Sequence, residues 1–151
     1  MSGGFLDSTE LTALGLAGHG SNVLISRKAS IYGAARISLG DNVRIDDFCV
    51  LSAGEGGIAI GSYIHIAVFS LLIGAGRIVL GDFANLSSRV SIYSSSDDYS
   101  GTTMTNPMIP ERFKRVDTRP VTIGRHVIIG CGSVVLPGSE LGEGCAIGAL
   151  S

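Results

Sequence analysis

The stretch Ile123–Ser151 reads IGRHVI, IGCGSV, VLPGSE, LGEGCA, IGALS, and its reading decides the fold. Each block of six opens on an aliphatic residue: Ile123, Ile129, Val135, Leu141, Ile147. Position two is usually Gly, and position five is small or aliphatic. A period of six is neither the two of an isolated strand nor the 3.6 of a helix. Working outward, the same phase appears in LGDNVR, IDDFCV and LSAGEG from Leu39, and in IGSYIH and IAVFSL from Ile60. It appears again in LGDFAN and LSSRVS from Leu80. A triangular solenoid accounts for the period, with one hexad per flat face and about 18 residues per coil. Positions one and five then point inward, and position two sits near a corner. Each coil hides its apolar edge only against its neighbours, so several must stack. An antiparallel sandwich would instead show strict alternation and Asn-Gly or Asp-Gly hairpins. Neither dipeptide occurs in the chain.

Composition agrees with a narrow, tightly turning all-β structure. The chain has 151 residues, enough for one domain. Only 6% are aromatic and 22 are Gly, a residue that supplies positive-φ corners. Mean hydropathy is +0.41. No apolar run approaches the roughly 20 residues of a spanning helix, so no membrane association is expected. A net charge of −2 gives no basic field for nucleic acid. The first residues lack the pattern of a secretory signal. Cys49, Cys131 and Cys145 are scattered, without a CxxC pair, and read as reduced core thiols of a cytoplasmic protein.

Two segments depart from the repeat. Residues 1–22 form an N-terminal segment in which Asp7 precedes Glu10 by three, a capping pair. The spacing predicts a short helix over Ser8–Leu14, stopped by Gly15. The β-helix occupies residues 23–151 and is interrupted by a loop at about 94–122. That loop follows SIYSSSDDYSG, Ser91–Gly101, and is too long and polar to be a coil. Loops of this length in compact domains are usually functional or disordered.

The hexads match the pattern [LIV]-[GAED]-x-x-[STAV]-x, and over roughly Ile25–Ser151 the chain resembles the left-handed β-helix hexapeptide-repeat acyltransferases. The stretches NVRIDDFCVLS, IGSYIHIAVFSLLIG, DFANLSSRVSIYSSSDDYSG and RHVIIGCGSVVLPGSELGEGCAIGALS look most like the N-acyltransferases of nucleotide-linked amino sugars, the anthrose type. The resemblance implies acetyl-CoA or another acyl-CoA as donor, a sugar nucleotide as acceptor, no metal, and a homotrimer whose loops reach neighbouring subunits. Relatives usually continue past the last coil with a Gly-x-Pro stretch and a helix. Galactoside and maltose O-acetyltransferases are more distant, and acyl transfer to a sugar hydroxyl is the alternative. A non-catalytic binding solenoid is a remote one.

Acyl transfer needs a positioned acceptor, donors for the developing oxyanion, and a proton acceptor. O-acetyltransferases of this fold place a His in the corresponding loop. Here no His lies between Ser91 and Arg125; Asp97 and Asp98 stand there instead. A carboxylate of pKa about 3.9 is a poor base for a hydroxyl but can orient an amine and take its proton. The carboxylate therefore favours N-acylation.

The resemblance implies that Asp97 lies beside the amine and that Ser87 hydrogen-bonds substrate or adduct. A loop turn and an ordinary small corner residue are the plain readings of the two. Asp98 either shapes the turn or contacts the sugar. Tyr99 flanks a sugar or base, or packs inside the loop. Arg89 joins them as a substrate-binding candidate. His65 is the runner-up base, against a solvated corner or a structural hydrogen bond. With His19 and His126 it could also make the three-His zinc site of the γ-carbonic anhydrases, but spacings of 46 and 61 argue against it. Arg112, Lys114, Arg115, Arg119 and Arg125 cluster after the loop, either as a solvated face or as phosphate contacts. Arg125, Gly130, Gly132, Gly148 and Ala149 are the candidates for coenzyme A.

Overall fold

The computed structural model describes residues 2–151 and is a parallel β-solenoid of the left-handed β-helix type. Three parallel sheets form its faces. The first runs through Gly18–His19, Ile37–Leu39, Ile58–Ile60, Ile78–Leu80, Val121–Ile123 and Glu140–Leu141. The second runs through Val23–Ile25, Val43–Ile45, Ile64–Ile66, Asn85–Leu86, Ile128–Ile129 and Ala146–Ile147. The third runs through Ser30–Tyr32, Val50–Ala53, Leu71–Gly74, Ser91–Tyr93 and Val134–Val135. Hexad positions one and five point inward as predicted: Ile60 with Ile64, Leu86 with Val90 and Ile123 with Val127 are buried. The aliphatic ladders they form are the core, and burying each such side chain stabilises by roughly 1.5–3 kcal/mol.

The corners hold two corrections to the hexad picture. The residue with positive φ is at position four: Asn42, Phe48, Tyr63, Phe69, Phe83, Arg89 and His126 all lie between 56° and 64°. Left-handed backbone costs a non-glycine residue about 1–2 kcal/mol. Stacking offsets it: Phe48 lies on Phe69, and Tyr63 on Phe83, with ring centroids 5.1 Å apart in each pair. Such pairs contribute about 0.5–1.5 kcal/mol beyond area burial. The Gly at position two has a different role. A Cβ on Gly81 would stand 2.8 Å from the Arg125 amide nitrogen and 2.9 Å from the Gly124 carbonyl carbon. Glycine is there because adjacent coils come that close.

The coil is also not uniformly 18 residues. Ile123 pairs with Leu141, 18 residues on, but Ile37 pairs with Ile58, 21 residues on. Two corners are constant, always a step of four positions from one inward residue to the next, as in Leu39 to Val43 or Ile45 to Cys49. All extra length enters at the corner from the third face back to the first. There the intervals are Ile31–Ile37, Leu51–Ile58, Leu72–Ile78 and Ile92–Val121. Position five of LSAGEG, Glu55, falls in this corner and is exposed.

The long loop leaves and re-enters at this variable corner. Ser94 is fully buried at its base and donates from Oγ to the Gly76 carbonyl at 2.8 Å. The segment is not wholly irregular: Ser95–Asp97 pairs antiparallel with Val116–Thr118, and Glu111–Phe113 forms a 3-10 turn. The coil resumes at Val121.

The N-terminal helix spans Ser8–Ala13. Asp7 accepts from the Glu10 amide and Glu10 from the Asp7 amide, the anticipated capping box, and Gly15 follows with φ 72°. The cysteines differ from the reading as a core set. All are free, but only Cys49 is buried; Cys131 is exposed on a corner and Cys145 half-buried near the last coil. Burial pushes the Cys49 thiol up. Among the described residues no helix is long and apolar enough to cross a membrane.

Candidate active site

Asp97 ends the outgoing strand of the loop hairpin, opposite Val116. Its carboxylate is exposed and has no hydrogen-bond or ion-pair partner among the described residues. Three clefts meet at it. One of about 410 Å³ is lined by Tyr93, Ser95, Ser96, Asp97, Tyr99, Val134 and Leu136. A second of about 510 Å³ holds Asp97 with Asp98, Tyr99, Arg115, Asp117 and Arg119. A third of about 410 Å³ adds Ile73, Asn106, Pro107, Lys114 and Val116.

Asp98 is occupied within the loop. Its carboxylate accepts from the Ser100 amide at 2.9 Å, Thr103 Oγ1 at 2.9 Å and Thr102 Oγ1 at 3.1 Å. The Ser100 amide first, then the hydroxyls, hold its carboxyl well below the usual carboxylate range. The turn-shaping reading of Asp98 is the one its contacts support. Tyr99 is 92% exposed, so it does not pack within its own loop.

The other candidates lie across the width of the third face. Ser87 sits at the corner between the second and third faces; its carbonyl accepts from Ser70 Oγ, and its own hydroxyl has no partner among the described residues. Arg89 occupies the left-handed position of the same corner, over the Phe69 ring at 5.3 Å. Gly130 and Gly132 are one coil below at this corner, and Gly148 and Ala149 two coils below. A Cβ on Gly130 would lie 2.5 Å from the Ala149 nitrogen, so coil spacing alone requires that glycine. Arg125 is on the other constant corner, away from this group.

His65 projects from the second face, and its Nε2–H donates to Asp46 Oδ2 at 2.7 Å. Arg44 Nε donates to the other oxygen at 2.7 Å. Burial opposes the ionised form of Asp46, yet these two donors hold its carboxyl below the ordinary value. His126 stacks on Phe83, with ring centroids 4.7 Å apart, and His19 Nδ1–H donates to the Gly20 carbonyl. The imidazoles thus have separate engagements, and no group of three or more metal-ligating side chains occurs among the described residues.

The post-loop cations also separate. Arg112 lies over Phe113, Lys114 pairs with Glu111 and Arg119 with Asp117. Arg115 lines the cleft of Asp97. Tyr93, Val134 and Leu136 complete the site and were not visible in the hexads, because their outward positions carry no periodic signal.

Residues 120–151 match the family model described as bacterial transferase hexapeptide (six repeats). The chain is 58% identical over 147 residues to dTDP-4-amino-4,6-dideoxy-D-glucose acyltransferase of Escherichia coli, across 97% of this chain and 77% of that protein. It superposes on AntD, an N-acyltransferase from Bacillus cereus, in complex with dTDP and 3-hydroxybutyryl-CoA. The TM-score is 0.93 at 47% identity, covering 97% of this chain and 77% of AntD. A Ser-to-Cys form of AntD with dTDP-4-amino-4,6-dideoxyglucose and coenzyme A gives the same TM-score of 0.93. The chain belongs to the hexapeptide-repeat nucleotide-sugar acyltransferases, the family of these relatives. It is an acyltransferase.

Proposed function

We propose that the protein transfers an acyl group from acyl-CoA to the 4-amino group of dTDP-4-amino-4,6-dideoxyglucose. The observation that carries this reading is Asp97: a carboxylate without an internal partner, at the meeting point of three clefts. The relatives act on or bind that sugar nucleotide and coenzyme A. Forms of AntD altered at one serine and at one aspartate have been solved, the two sites ten positions apart. Ser87 and Asp97 are ten apart as well.

The chemistry follows from these groups. The neutral amine attacks the thioester carbonyl, a C–N bond forms, and the carbonyl electron pair moves to oxygen. Asp97 orients the amine and takes the proton that becomes acidic as the adduct forms. Ser87 donates a hydrogen bond to substrate or adduct. Collapse expels the coenzyme A thiolate, which recovers the proton. Tyr99, exposed at the cleft, flanks the sugar or base.

In one protomer Ser87 and Asp97 lie on opposite edges of the third face, and none of the three clefts at Asp97 is lined by Ser87. A homotrimer brings one subunit's loop to a neighbour's corner and gives three equivalent sites. The location is cytoplasmic. Sedimentation at micromolar concentration tests the assembly: a monomer that is still active would sink it.

One observation favours a hydroxyl acceptor, the His65–Asp46 pair, since a carboxylate-oriented imidazole is how a general base is held. Titration of released thiol with acetyl-CoA and matched amino and hydroxy sugar nucleotides separates the two. Thiol release with the amine alone supports the proposal; release with the hydroxy sugar alone overturns it.

A further inference from the structure

We propose that Arg115 binds the diphosphate of the acceptor sugar nucleotide and thereby selects a nucleotide-linked sugar over the free sugar. The inference rests on the acceptor reading above. Arg115 is exposed and has no ion-pair, hydrogen-bond or ring partner among the described residues. Among the described residues it is the one cation of the loop in that state. Lys114 is 7% exposed and held by Glu111, Arg112 covers Phe113, and Arg119 is held by Asp117.

The acids nearby do not neutralise it. Asp98 spends its lone pairs on Ser100, Thr102 and Thr103. Asp117 accepts both Nε and Nη2 of Arg119. The cleft of about 510 Å³ therefore carries two uncommitted charges, Asp97 and Arg115. Asp97 pairs with Val116 across the hairpin ladder, Arg115 is the residue before Val116, and both residues line this cleft. An amino sugar nucleotide has the complementary pattern, a basic nitrogen at one end of a pyranose ring and a diphosphate at the other. A guanidinium matches diphosphate oxygens with paired N–H donors.

Coenzyme A also carries a diphosphate, and distance decides between the two sources. With the reacting nitrogen at Asp97, the acceptor's diphosphate is one sugar ring away. That of coenzyme A is separated from the thioester by the whole pantetheine arm, and falls outside this cleft.

The test measures dTDP and coenzyme A binding by calorimetry, with steady-state kinetics on the amino sugar nucleotide. In Arg115→Ala we expect dTDP affinity and the acceptor KM to worsen by about 10–100-fold, the range of a lost charge-assisted bidentate contact. The KM for acyl-CoA and the affinity for coenzyme A stay within about two-fold, and Arg115→Lys recovers part of the dTDP loss. Unchanged dTDP binding in Arg115→Ala overturns the inference while leaving the acceptor reading intact. Selective loss of coenzyme A binding overturns it in favour of the donor. A wild-type protein that does not bind dTDP at all overturns the acceptor reading itself.

Discussion

Two of the prism's corners and the third are built on opposite principles. The first two step four positions between inward residues in every coil, most of them with a left-handed residue at position four, and rings stack from coil to coil at Phe48–Phe69 and Tyr63–Phe83–His126. Hydrogen bonds lace them vertically: Asp41 accepts from the Ser21 amide and Asp82 from the Ser62 amide, each at 2.8 Å. Any change in length there would break the register of every later coil. The third corner varies from coil to coil and finally admits the whole hairpin loop. Its changes in length do no harm because the face beyond it re-enters register, as Ile78 pairing with Val121 shows. Invariant corners set the coil spacing; the variable corner carries the loop and its free carboxylate, Asp97.

The comparison is sharpest if activity and stability respond separately to the two kinds of corner. Asp97→Asn, on the loop, should reduce turnover by roughly 10²-fold or more, the contribution of a positioned acid or base. Its melting temperature and coenzyme A affinity should stay close to those of the parent. Turnover within a few-fold of the parent, in a folded protein, would remove Asp97 from its role. Gly81→Ala, at a constant corner, should do the reverse. Its Cβ meets backbone atoms that cannot turn aside, and overpacking of this kind costs about 1–3 kcal/mol. Chemical denaturation would register it, with little effect on turnover of the folded fraction.

Within the loop, Asp98→Ala should raise hydrogen exchange at the Ser100 amide without loosening the coil amides. Its folded carboxyl titrates below the unfolded one, so its contribution is present above the ordinary carboxylate range. That contribution vanishes only as pH falls through the depressed value. In the parent protein the loop amides should therefore keep their protection at pH 5. The smallest effect is expected from His65→Asn, which should keep most activity, because the amine acceptor does not need an imidazole. A loss in turnover beyond about 10³-fold with both substrates still bound, within the reach of a general base, would instead make the acceptor a hydroxyl.

Much of this was legible in the chain. The six-residue period fixes which side chains face inward, because burial repeats with the coil and apolar residues must repeat with it. The capping box of Asp7 and Glu10 is a local matter, read from two residues. Asp97 was visible as a carboxylate at the point where the repeat stops. Other features were not. Position-two glycines looked like positive-φ residues, but their need comes from the close approach of the adjacent coil. Phe48 and Tyr63 gave no sign of left-handed backbone, since what offsets it is a ring on the next coil.

The sequence by itself determined the solenoid and the place of the loop, because each is written in a period or in its interruption; the kind of transferase came from the resemblance of its hexads to a known family. Only the tertiary structure decided which of two adjacent aspartates is free. Asp97 and Asp98 are identical in type and neighbours in sequence, yet Asp98 closes a turn onto three donors while Asp97 faces the clefts. Only the structure, likewise, left Arg115 uncommitted among the loop's cations. Which partner a charged side chain finds depends on the geometry of the folded loop, and residue type and spacing do not carry that geometry.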